Sequence, residues 1–283
     1  MAARQGSRRG PSRPLSWLRR LRPGSPLRWW RELALVLPAY WTYTLVRNLV
    51  PDQEDAAVEN ADQLYGWEQA LGIDLELGVN RMFDRIEWLI VGMNYYYAVA
   101  HFAVTAAVLV WLFRRRPQHY RAARTVFLTT NVVALAGFYL YPLAPPRLLP
   151  GRGYIDTVIT HGTWGSWASG DMANYSNQYA AMPSMHVGWS VFCAAVVVLL
   201  ARRRWVRVAA LAHPGATLVA IVATGNHFVL DAVGGVLALG AGLAIWWAVA
   251  TGRRRHRARS RAREQLAELA TTDREPDRVE ATV

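Results

Sequence analysis

FVLDAVGGVLALGAGLAIWWAVA, Phe228–Ala250, carries one charge, Asp231, and runs on into Arg253-Arg254-Arg255. A helix over this stretch is long enough to cross about 30 Å of hydrocarbon. Five further apolar blocks of similar length precede it: Leu33–Val50, Trp88–Phe113, Thr125–Leu143, Ser184–Ala201 and Val206–Thr224. One such block alone would suit a buried core helix. Six in one chain, with charges confined almost wholly to the gaps, predict an all-α polytopic membrane protein with six transmembrane helices in one bundle. Composition agrees, since 53% hydrophobic and 18% charged residues exclude a disordered chain and a charged soluble domain.

The basic residues set the expected orientation. The chain has no lysine, so its 32 Lys+Arg are all arginine. That excludes Schiff-base catalysis and a Walker phosphate loop, and the single Cys193 excludes an internal disulfide or a cysteine zinc site. Arginines crowd Met1–Arg31, Arg114–Arg124, Arg202–Arg207 and the stretch from Arg253. Six crossings put all four groups on one side. The positive-inside rule then predicts a multi-pass protein of the cell membrane, with both termini cytoplasmic and Pro51–Glu87 and Ala144–Pro183 extracytoplasmic. The net charge of +12 reads as topology anchoring beside anionic lipid, with no nucleic-acid partner. The expected division is a cytoplasmic basic arm (1–32), a membrane domain (33–250) and a cytoplasmic tail (251–283). The arm lacks the pattern of a signal peptide and should be disordered before an interfacial Trp/Leu/Arg stretch from Trp17. Ala56–Phe83 should form one or two short outer helices, and the tail should fray after Gln265.

Histidine is scarce and costly in lipid, which makes its positions informative. His119 and His256 fall in arginine clusters, His161 in the second outer segment, and His101 and His213 inside spans. His186 and His227 both fall at the outer ends of spans. In Ala-Met-Pro-Ser-Met-His, Ala181–His186, Pro183 and Ser184 make a helix start, with Ser184 as cap and His186 in the first turn. Amides there attract anions. In Gly-Asn-His-Phe-Val-Leu-Asp, Gly225–Asp231, His227 and Asp231 are four apart and share a face if helical. A carboxylate so placed holds the imidazole tautomer and supports its positive charge. The plain alternative is a buried pair that only satisfies itself. Metal binding would need more ligands than His186, His227 and Asp231 supply, so no metal or cofactor is expected. Arg147, in Leu143-Ala-Pro-Pro-Arg147, is either a snorkelling anchor or a phosphate clamp.

Pro-Pro-Arg, then Pro-Ser-x-His, then His-x3-Asp resembles the ordered motif set of the type-2 phosphatidic acid phosphatase superfamily. The closer resemblance is to its inositol-phosphorylceramide-synthase-like branch, and it covers about Leu33 to Ala250. It implies a metal-independent six-helix lipid-phosphate phosphatase or phosphotransferase acting at the outer membrane face on a phospholipid or other lipid phosphate. By that resemblance His227 is the nucleophile that forms a phosphohistidine, Asp231 orients it and His186 protonates the leaving oxygen. Arg147, Ser184 and Asn226 would hold the phosphate. The chain departs from the phosphatase branch at two cation positions, where Leu140 and Ile221 stand. Thr224, Asn226, helix-start amides and Arg152 are the candidates to replace those cations. A non-catalytic lipid headgroup-binding or transport protein is the alternative class; transport favours matching broken spans, and the chain shows no repeat.

Overall fold

The computed structural model describes residues 27–48, 53–163 and 177–272. Residues 1–26 of the arm, with most of the interfacial stretch, lie outside these residues. The elements run α1 (Trp29–Asn48), α2 (Glu54–Leu71), α3 (Glu76–Asp84), α4 (Glu87–Tyr95), a π-helical turn (Tyr96–Ala100), α5 (His101–Arg115) and α6 (Pro117–Leu140). A short 3-10 turn (Pro146–Leu148), α7 (Thr157–Thr160), α8 (Met185–Leu200), α9 (Arg204–Ala223) and α10 (Val229–Thr272) follow. Among the described residues there is no strand, only an isolated bridge between Leu143 and Ala180. The fold is all-α.

Four helical stretches are long and apolar enough to cross a membrane: Glu87–Arg115, Pro117–Leu140, Arg204–Ala223 and Val229–Leu266. The other two expected spans fall short in different ways. α8 is apolar but has 16 residues. α1 has the length but carries Arg31, Glu32, Arg47 and Asn48. The tail also differs from expectation, because α10 continues through the arginine run to Thr272 instead of fraying after Gln265. Arg, Ala, Glu, Gln and Leu between Arg253 and Thr272 are strong helix formers, with no Gly or Pro in that stretch to stop the helix.

α8 is the central helix and packs against α5, α6, α9 and α10. Glycine lets α8 and α10 approach closely. A Cβ on Gly235 would sit 2.2 Å from the Ser184 carbonyl oxygen, and one on Gly188 would sit 3.1 Å from the Gly235 carbonyl oxygen. Gly242 gives α10 the same freedom against Thr130 of α6. Small residues bring helices together where lipid supplies no hydrophobic drive. At the opposite end of α8, Arg116 donates to the Leu200 carbonyl and Arg207 to the Ala201 carbonyl, which joins the α5–α6 and α8–α9 turns.

α2 and α3 form the two short helices expected over Ala56–Phe83, and they cover one end of the bundle. Ala57, Ala61 and Leu64 of α2 pack with Leu143, Ala144, Leu149, Ala181 and Phe228. Their polar residues seal the turn between α9 and α10. Asn80 of α3 donates to the Ala223 carbonyl at the end of α9 (2.9 Å). Glu76 accepts from the Val229 amide (2.9 Å) and Glu68 from the Leu230 amide (2.7 Å), at the start of α10. Two carboxylates thus satisfy amides that a helix start leaves unpaired.

Candidate active site

The α9–α10 turn that α2 and α3 seal is the Gly225–Asp231 motif. Gly225 adopts φ 65°, a left-handed conformation that suits glycine, and its carbonyl accepts from the Arg147 amide at 2.9 Å. His227 precedes α10 rather than lying on it, so its pairing with Asp231 spans the helix cap and not one helical face. His227 Nδ1 lies 3.1 Å from Asp231 Oδ2, which also accepts from the Phe228 amide at 3.0 Å. An acid in the first turn that reaches back to the capping amide is half of a capping box. One carboxylate therefore starts the helix and fixes the imidazole. With Nδ1 donating to Asp231, Nε2 keeps a lone pair. Both groups are buried, Asp231 completely.

His186 stands in the first turn of α8, and its ring centroid is 5.5 Å from that of His227. Tyr97 stacks on it at 4.2 Å, and His101 lies 4.1 Å from it. Tyr97 sits in the π-helical turn and His101 follows it directly; such turns often mark functional sites. His101, His186 and His227 share the wall of one cavity of about 140 Å³ with Tyr97, Arg147 and Asn226.

Arg147 is held by three acceptors. Nε donates to Asn226 Oδ1 (3.0 Å), Nη1 to Asp156 Oδ2 (2.9 Å) and Nη2 to Gln178 Oε1 (3.0 Å). A guanidinium has five N–H donors, so two remain for a ligand. Asn226 is positioned in turn by donating to Thr224 Oγ1 at 2.9 Å.

Other expected contacts lie elsewhere. Ser184 is the cap residue of α8 but makes no side-chain cap bond, and its backbone amide donates to the Asp231 carbonyl instead. Its hydroxyl is fully buried, has no partner among the described residues and does not line the cavity. Thr224 is also buried and acts behind Asn226. Arg152 does not reach in; it pairs with Asp62 at 2.7 Å and lies over Tyr65. The first amides of α10, unlike those expected to attract anions at the start of α8, are taken by Glu68 and Glu76. His161 pairs with Asp84, and His213 with Tyr96. Among the described residues, no three of His, Cys, Asp and Glu are grouped to hold a metal.

Sequence reasoning missed Arg47, Tyr97, Glu68 and Glu76. Burial drives the Glu68 carboxyl up to about 9, with Glu76 beside it adding to the shift and the Leu230 amide opposing it. An acid within an otherwise apolar helix face was the available signal for Glu68, since Ala57, Ala61 and Leu64 lie on the same buried side of α2.

The arrangement offers a fixed imidazole, a second imidazole across a small cavity and a braced guanidinium beside them. Comparison with known proteins agrees with that chemistry. No solved structure matches the chain. The phosphoinositol dihydroceramide synthase of Bacteroides thetaiotaomicron is 25% identical over 170 residues, which is 50% of this chain and 55% of that protein. The chain thus spans about half the length of that relative, which fits the inositol-phosphorylceramide-synthase-like branch. The model of the PAP2 superfamily matches residues 62–245, a range that holds Arg147, His186, His227 and Asp231 and leaves out α1. With most of its helical core inside that match, the chain belongs to the PAP2 superfamily, a family of phosphatases and phosphotransferases.

Proposed function

We propose that the protein transfers phosphate-linked groups of lipids through a phosphohistidine at His227, without a metal. One observation carries the reading: His227 is fixed by Asp231 at 3.1 Å while His186 faces it across the cavity that Arg147 lines. The Nε2 lone pair of His227 attacks phosphorus, and Asp231 stabilises the imidazolium that forms. His186 gives its proton to the leaving alcohol oxygen as that P–O bond breaks. It then takes a proton from the hydroxyl that attacks the phosphohistidine, and His227 is released. Arg147 and Asn226 offset charge on the phosphate oxygens. Water as acceptor makes the protein a phosphatase, and a lipid or polyol hydroxyl makes it a transferase. The relative's name, a phosphoinositol dihydroceramide synthase, favours the second.

The reading places the bundle in the cell membrane with six crossings, both termini cytoplasmic and the cavity at the extracytoplasmic face. α1 and α8 are then the crossings that length and composition alone do not pick out. The arginine distribution supports this placement.

The test is rapid quench of the purified full chain with labelled lipid phosphates in EDTA. Acid-labile, alkali-stable label should appear on the wild type and on His186→Ala, and not on His227→Ala. For His186→Ala, a p-nitrophenyl phosphoester should restore part of the lost rate, since its leaving group needs no proton. Wild-type turnover by His227→Ala would show that the histidine–aspartate pair is structural.

A further inference from the structure

The cavity has a wall that the family match does not include. α1 contributes Tyr40, Tyr43, Thr44 and Arg47 to it, beside residues of α8 and the α9–α10 turn. The matched region begins at residue 62, so none of these four comes with the family pattern. Arg152 is engaged with Asp62. Arg47 is therefore the second guanidinium that lines the cavity, after Arg147.

We propose that Arg47 is a phosphate-binding residue of this site, so that α1 supplies one cation and the Pro-Pro-Arg turn the other, gripping the phosphate ester between them. The proposal rests on the phosphotransfer reading above. Three observations support it. First, the two guanidiniums hold adjacent residues of one loop: Arg47 Nη2 donates to the Asn177 carbonyl at 3.1 Å, and Arg147 Nη2 donates to Gln178 Oε1 at 3.0 Å. Both guanidiniums therefore reach one dipeptide of the cavity lining.

Second, Arg47 is partly buried, and no ion pair joins it to a carboxylate among the described residues. A cation in a half-dry wall without a counter-ion carries a desolvation cost that an anionic ligand offsets. Third, α1 packs on the bundle through Tyr40 against Phe102 and Tyr43 against the Phe138 and Trp189 cluster, which leaves Arg47 beyond them on the cavity wall. A place in the last turn of α1 suits a cation by the helix dipole. That accounts for its charge but not for its position on the cavity wall.

The chemical class is a phosphate ester with at least two free anionic oxygens over the reaction. Guanidinium binds such oxygens in pairs, which an ammonium cannot do. Arg147 retains two N–H donors beyond its protein bonds. Arg47 spends one on Asn177.

The experiment uses the detergent-purified full chain and orthovanadate, a phosphate mimic whose binding is read without turnover. Arg47→Gln keeps a side-chain donor for the Asn177 carbonyl and removes the charge. The orthovanadate concentration for half-maximal thermal protection should rise about ten- to a hundredfold, as loss of a charge-assisted contact implies. Protection within twofold of wild type overturns the proposal. A second arm uses the wild-type chain alone. Phenylglyoxal modifies accessible arginines, and orthovanadate should slow modification of Arg47 and Arg147 together, read by peptide mass spectrometry. Arg47 reacting at the same rate with and without orthovanadate overturns the proposal, whether or not the variant folds. Failure of the phosphotransfer reading looks different: no lipid phosphate would be turned over by wild type, while orthovanadate would still shield Arg47.

Discussion

α1 and α8 line the same cavity and are built in opposite ways. α8 buries Met185, Val187, Gly188, Trp189, Ser190, Phe192, Cys193 and Ala194, whereas α1 buries none of its residues. Trp41 and Leu37 of α1 are 67% and 58% exposed. α8 is clamped to α10 through Gly188 and Gly235, and it carries His186. α1 is tied to the rest of the bundle through an ion pair of Glu32 with Arg124 and through Arg47 with the loop at Asn177. The histidine proposed to move protons thus sits on the densely packed side, where position is over-determined. The loosely packed side carries Arg47, proposed to bind. Catalytic geometry tolerates little displacement, while charge attraction falls off gradually with distance.

The largest expected effect lies on the packed side. Asp231→Asn keeps the shape but loses the carboxylate that fixes and charges His227. The rate should fall about two to four orders of magnitude, by analogy with the aspartate of a catalytic triad. Steady-state kinetics on the folded variant check it, and a loss under tenfold would make Asp231 a helix cap alone.

Next comes the packing contrast itself. Gly235→Ala puts a methyl against the Ser184 carbonyl and should cost about 1–3 kcal/mol of stability as α8 and α10 are forced apart. Leu37→Ala, on the open face of α1, should stay within about 0.5 kcal/mol in detergent. Chemical denaturation of both variants checks the pair. Equal losses would erase the distinction between the two helices.

The smallest effect concerns the seal over the α9–α10 turn. Folded Glu68 keeps its proton up to about 9, while the unfolded chain gives it up near the ordinary value of 4.5. The stabilisation is complete below the unfolded value and is lost as pH rises towards the folded one. Glu68→Gln keeps an acceptor for the Leu230 amide and removes that titration. Its melting temperature should therefore vary less than wild type between about pH 5 and 9. Parallel curves for the two proteins would show that Glu68 does not hold its proton in the fold.

Phe228–Ala250 and three of the blocks before it were legible as spans because length and hydropathy are properties of consecutive residues. The same holds for Gly225–Asp231. Its histidine and aspartate are four apart, and their contact needs only the local turn. Arg147, His186 and His227 were singled out one at a time by their residue types, and the fold brings them to one cavity. Local reading went wrong where it assumed a regular helix or an ordinary cap, as with Ser184, whose buried hydroxyl makes no cap bond.

Sequence alone determined the helical class, the family motifs and which side chains to propose as reacting, because each depends on composition or short spacing. Tertiary structure decided what holds them. Glu68 and Glu76 reach the start of α10 from 162 and 153 residues away, and Arg47 meets Asn177 from 130 residues away. No periodicity records such pairings. They exist because buried amides and charges require partners, and only the packed chain determines which residues are near enough to supply them.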